Sequence, residues 1–129
     1  MSALASDATL KTLMGRWSAR IAADAHGIGL SAGARHPRRM MHRAQHFRAD
    51  ALSAVRTLTP VHPSTARGRR AKRMAITAFR DYAVVGRQWV LSGQARLRGL
   101  KAAAVAHARV AGLYASRGSR LLRAAGKLV

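Results

Sequence analysis

The sequence contains no cysteine and no glutamate. The first absence excludes a disulfide framework and a thiolate metal centre. The second leaves four carboxylate side chains, Asp7, Asp24, Asp50 and Asp81, against 24 lysines and arginines in 129 residues. Helical proteins commonly set Glu against Lys one turn apart, and this chain has almost no anions to do so. Aromatics are few: Trp17, Phe47, Phe79, Tyr82, Trp89 and Tyr114. With alanine supplying much of the apolar content, the expected core is thin. No apolar run approaches the roughly 20 residues of a membrane-spanning helix, so no transmembrane segment is expected.

Motifs of catalysis are also missing. The aspartates are scattered, no Ser has a nucleophile elbow around it, and there is no Walker loop or dinucleotide fingerprint. His42 and His46 stand four residues apart without a Glu or Cys beside them, in a positively charged stretch. The sequence therefore predicts no catalytic residue, no metal, no cofactor and no small-molecule substrate.

What is abundant is positive charge. The formal net charge is +20, and 20 of the 24 cations are arginine. Such a chain repels itself when compact, so the counter-charge is expected from outside. Nucleic acid offers it at high density. Arginine, which forms bidentate bonds to phosphate and stacks on bases, favours RNA over loose DNA condensation.

The apolar residues are patterned, which separates the chain from a disordered basic tail. After a flexible start over 1–5, residues 6–26 predict a helix. Ser6 would cap it, and Leu10, Leu13, Met14, Trp17 and Ile21 follow helical spacing. Gly27 and Gly29 would stop it. A basic Gly/Pro connector over 27–37 leads to a second helix at 38–58, lined by Ala44, Phe47, Ala51, Val55 and Leu58. Pro60 and Pro63 then enforce a linker over 59–66.

Residues 67–128 predict a long basic helix or two collinear ones. A heptad frame through Ile76, Phe79, Ala83, Val90, Leu97, Leu100, Tyr114 and Leu121 excludes every Lys, Arg and Asp. Gly86, Gly93 and Gly99 make a break near 92–99 the expected weak point. The fold class is all-α, one extended helical unit over 1–129 with little independent globular core.

Two clusters are the candidate phosphate contacts. Arg67, Arg69, Arg70, Lys72 and Arg73 open the third helical segment, where backbone amides favour anions. Arg35, Arg38, Arg39 and Arg43 crowd the first connector with His36 and His42. Arg80 and Arg87, interleaved with Phe79, Tyr82 and Trp89, extend the set, and these aromatics are expected in the core.

Two short stretches, Trp17-Ser-Ala-Arg20-Ile21 and Gly112-Leu113-Tyr114-Ala-Ser116, resemble fragments of the bacterial L-twenty family of large-subunit ribosomal proteins, basic all-helical RNA binders. Their order and spacing differ from that family's, and the chain is not assigned to it.

The reading is a structural protein of a ribonucleoprotein, clamping rRNA or another polyanion among neighbouring proteins of a large assembly. The first 50 residues are Arg-bearing, Ser/Ala-rich and acid-poor, like a mitochondrial targeting segment. The favoured setting is thus a mitochondrial ribosome in the matrix. The alternatives are a supernumerary subunit of a mitochondrial inner-membrane complex, its basic face on acidic lipid, and a DNA-condensing virion or nucleoid protein.

Overall fold

The computed structural model describes residues 3–33 and 35–129. Within them are four helices, α1 (Ala3–Gly33), α2 (Pro37–Leu58), α3 (Ala66–Leu97) and α4 (Lys101–Leu128), and no strand.

Helix α1 starts before and ends after its predicted limits. Ala3, Leu4 and Ala5 are strong helix formers and extend it backwards, so Ser6 is a buried residue within the helix, not its cap. Of the expected flexible start, Met1 and Ser2 lie outside the described residues. Gly27 and Gly29 do not stop the helix. Gly27 is where α1 passes the Arg43 guanidinium, and a Cβ there would stand 2.6 Å from Nη1. Ile28, buried beside it, holds this part of α1 against the core. The helix ends in a Schellman-type turn, with the His36 N–H donating to the Ser31 carbonyl at 3.2 Å. Arg35 stands in that turn at φ +57°, a left-handed conformation usually left to glycine.

Pro37 occupies the first position of α2, where its missing N–H costs nothing. Thr65 caps α3, accepting from the Gly68 N–H at 2.9 Å. The expected continuous or collinear helix does not form. At Gly99, φ +76°, the chain leaves α3 through a complete Schellman motif: Leu100 N–H to Ala95 O at 2.8 Å, and Gly99 N–H to Arg96 O at 3.0 Å. It then returns as α4. Leu97 and Leu100, predicted to lie in a buried seam, are therefore half exposed beside this turn.

Successive helices run antiparallel. Gly27 of α1 meets Arg43 of α2, and Asp24 meets His46. Gly86 and Gly93 of α3 fit against Ala44, Arg48 and Met41 of α2. Gly118 of α4 lies against the Ala78 carbonyl and the Tyr82 ring of α3. Helix α3 is central, and it is buried on two sides rather than along one seam. Gly86 and Gly93 serve α2, while Ala78, Asp81, Gln88 and Ser92 serve α4.

The expected extended molecule with little core is thus corrected to a packed bundle. Leu10, Met14, Trp17, Ile21 and Ile28 of α1 join Met40, Phe47 and Leu58 of α2 and Phe79, Tyr82 and Val85 of α3 in one apolar cluster. Helix α4 contributes small residues, Ala104, Ala111, Gly118 and Ala125, one every seventh position. Small side chains let the α3–α4 axes approach closely, and polar cross-links fix their register. Ser92 Oγ donates to Ala104 O at 2.8 Å, His107 Nδ1 lies 2.8 Å from Gln88 Oε1, and Tyr82 Oη lies 3.0 Å from Ser119 Oγ.

Phe79 and Tyr82 are core residues. Phe79 is fully buried, and Tyr82 meets Phe47 edge to face with centroids 6.0 Å apart. Trp89 is half buried at the wall of an apolar groove of about 340 Å³ between α1 and α4, together with Ile21, Ile28 and Leu122. Of the other seam residues, Ala83 is buried and Ile76, Val90, Tyr114 and Leu121 are half buried.

Candidate nucleic-acid interface

Antiparallel topology places the two predicted cationic clusters at opposite ends of the bundle. Between Arg70 and Arg96 the α3 axis spans roughly 40 Å at the ordinary helical rise.

At the first end, the α1–α2 turn carries Arg35, Arg38 and Arg39, all exposed. The α3–α4 turn brings Arg96, Arg98 and Lys101 to the same end. Arg35, Arg96 and Lys101 line one open cavity of about 520 Å³ with Pro37, Gly99, Ala104 and Val105. Arg96, Arg98 and Lys101 lie outside the two clusters that the sequence marks. Gly99 is the signal for them: the apolar frame runs on in phase past it, but a left-handed glycine there reverses the chain and folds these cations toward the first connector. Arg43 is exposed, but its guanidinium rests against Gly27.

At the second end, the cluster that opens α3 divides by role. Lys72 Nζ donates to Thr59 O at 2.7 Å, next to the C-terminus of α2. Arg69 Nη1 donates to Ser64 O at 2.8 Å, and Arg67 Nη2 to Lys127 O at 3.4 Å at the end of α4. These side chains complete helix ends and loops. Arg70 and Arg73 are exposed and make no such bond among the described residues. The helix N-terminus itself, expected to receive phosphate, already holds an anion. Thr65 Oγ1 donates to Asp7 Oδ2, and the Asp7 carboxyl sits where a side chain on Gly68 would be.

Between the ends, Arg80 and Arg87 are exposed along α3. Arg87 and Arg48 line a shallow groove between α2 and α3 with Gln45, Ala49, Leu52 and Val90.

None of the four aspartates is exposed, whereas every lysine and arginine except half-buried Lys72 is. Asp7 is held by Thr65. Asp81, buried, takes a bidentate bond from Arg117. Bonding to Asp81 in turn raises the Arg117 pKa above its ordinary value.

Asp24 and Asp50 have a different partner. They meet at His46, whose Nε2 is 3.7 Å from Asp24 Oδ1 and 3.3 Å from Asp50 Oδ2. Burial, and after it the neighbouring Asp50 carboxyl, raise the Asp24 pKa to about 6. His46 and Arg20 oppose that rise. The spacing of His42 and His46 gives no hint of the carboxylates that join His46: Asp50 one turn after it, and Asp24 brought across from α1. Compared with protein-family models, curated proteins and solved structures, the chain matches none of them.

Proposed function

We propose that this protein is a structural, RNA-binding component of a ribonucleoprotein, using arginine side chains as phosphate clamps. The observation that carries the reading is the separation of sign. The carboxylates are turned inward onto protein partners, so the outer surface presents cations almost without competition. A phosphate backbone is the polymeric counter-ion that fits such a surface. Arginine at both ends of a rigid bundle suits docking between segments of a folded RNA better than coating a uniform duplex. Ribosomal RNA of an organelle is the favoured partner. Support for the organelle comes from the composition of the first 50 residues, which here form α1 and much of α2.

The test is binding of the purified chain to a structured rRNA fragment and to duplex DNA of equal length, by fluorescence anisotropy across a potassium chloride series. The expected result is tighter binding to the RNA, with affinity falling several-fold for each doubling of salt. Equal affinity for DNA would replace this reading with nucleic-acid condensation. Binding to cardiolipin vesicles but not to RNA would replace it with a role at a membrane surface.

A further inference from the structure

We propose that Asp24, His46 and Asp50 form a binding site for one divalent transition-metal ion of the zinc type. The inference is independent of the RNA reading and rests on what surrounds these three side chains.

Asp24 and Asp50 are crowded together in a chain that has 24 lysines and arginines, yet neither makes an ion pair with any of them among the described residues. The one basic side chain in contact with both is the His46 imidazole. Two adjacent carboxylates repel when both are ionised, so the arrangement requires a shared proton or a cation. The Asp50 side chain is largely buried, at 13% exposure, and that of Asp24 is similar at 14%. The Asp50 Oδ2, which faces His46, is buried without a hydrogen-bond partner, and the Asp24 Oδ2 is likewise buried and unpartnered. Buried carboxylate oxygens left open in this way are ordinarily satisfied by a proton, water or metal.

The spacing suits a metal. One donor atom from each of the three residues lies within 4.8 Å of the others. In a tetrahedral zinc shell with bonds of about 2.0–2.1 Å, neighbouring donors stand about 3.3–3.4 Å apart. The His46 Nε2 separations of 3.3 and 3.7 Å are close to that edge before any adjustment. Two carboxylates and a neutral imidazole neutralise a divalent ion, and a hard magnesium or calcium ion would seek more oxygen donors. A cavity of about 320 Å³ lined by Ala23, Asp24, Gly27, His42, Arg43 and His46 adjoins two of the three donors and has room for a water ligand. A metal there ties α1 to α2 and replaces mutual repulsion with attraction.

The test uses the full chain, stripped with a chelator and titrated with zinc chloride alone at neutral pH. Calorimetry should give one equivalent per chain, and Tm should rise with zinc, since the ion binds the folded state. In wild-type protein, zinc should shift the imidazole NMR signals of His46 ahead of those of the other histidines. Asp24→Asn and Asp50→Asn keep side-chain size and relieve the repulsion, and circular dichroism will show that both stay helical. Each should weaken zinc binding by at least about a hundredfold, beyond the 10–100-fold typical of an outer-shell partner. His62→Gln, an exposed histidine at the other end, should change nothing. The proposal is overturned if wild-type chain takes up no zinc, if other histidine signals move first, or if both Asn variants bind as wild type does.

Discussion

The Arg117 guanidinium meets the Asp81 carboxylate through two bonds, Nε to Oδ2 at 2.8 Å and Nη2 to Oδ1 at 2.5 Å. It is the only pair of an arginine or lysine with a carboxylate among the described residues. Its two members are unequal. Asp81 is buried on α3, while Arg117 is half exposed on α4 and stacks over Tyr114 at 5.1 Å. Removing the arginine strands a buried charge, whereas removing the carboxylate charge returns an arginine to water. Arg117→Met should therefore lower Tm by several degrees and Asp81→Asn by clearly less. Thermal melts of both variants and the double variant, read as a cycle, check this.

Apart from Arg117, no exposed lysine or arginine among the described residues has a carboxylate in ion-pair contact to offset its repulsion, and the α3–α4 contact is built from small residues. Stability should accordingly depend on screening. Raising potassium chloride from about 0.05 M to about 0.5 M shortens the Debye length severalfold. Tm and helicity should rise across that range, and more with a folded RNA at low salt than with salt alone. Circular dichroism reads both. A melt insensitive to salt and to RNA would contradict the charge argument.

Much of the bundle is legible in the sequence because its helices carry regular apolar stripes. Leu10 to Ile21 and Phe47 to Leu58 mark α1 and α2, whereas Pro37, read as part of the connector, is the first residue of α2. The reversal at Gly99 was hidden by the same regularity. The frame from Ile76 to Leu128 continues in phase on both sides of Gly99, so it reads equally as one helix or as two arms of a hairpin. Exposure of the arginines is legible from their absence from that frame. Which of them bond backbone carbonyls is not, since Lys72 meets Thr59 and Arg67 meets Lys127 only once the helices pack. Nor does any spacing link Asp24 to Asp50, which lie on different helices.

Among the described residues two left-handed ones end helices, and they should respond oppositely to substitution. Gly99 at φ +76° has open space around it, so Gly99→Ala would meet strain rather than a clash. That strain should cost about 1 kcal/mol. Arg35 at φ +57° already bears it, and Arg35→Gly should stabilise the α1–α2 turn by up to about 1 kcal/mol while removing one cation. Urea melts at moderate salt measure the two changes. The Arg35→Gly variant also separates stability from binding, because it should fold better and bind RNA less well.

The pH dependence of the metal-free chain should carry the mark of Asp24. Its pKa rises from 3.8 to about 6 on folding, so the native state binds more protons than the unfolded chain between those values. Stability from this group is therefore full below about pH 4 and is lost as pH rises through about 6. The groups that set it are Asp50 and His46 on α2 and Arg20 on α1, with Arg43 lining the adjacent cavity. With chelator present, wild-type Tm relative to Asp24→Asn should fall between pH 4 and 6.5 and level off above. Equal profiles for the two proteins would mean that Asp24 ionises normally.

The separation of the cationic ends makes a prediction about RNA length. Arg70 and Arg73 at one end, and Arg35, Arg38 and Arg39 at the other, are exposed and too far apart to share a short ligand, the α3 axis between the two ends spanning roughly 40 Å. Replacing Arg70 and Arg73 with alanine should reduce the salt slope by about two phosphate contacts, and replacing the other three by about three. On an RNA long enough to reach both ends the losses should add in free energy, since the sites do not touch. On an RNA duplex shorter than half the bundle, the two ends are alternative sites, and removing either set should lower affinity only modestly. Lys72→Ala should behave differently from both. Its ammonium is committed to Thr59 O, so it should lower Tm while leaving the salt slope nearly unchanged.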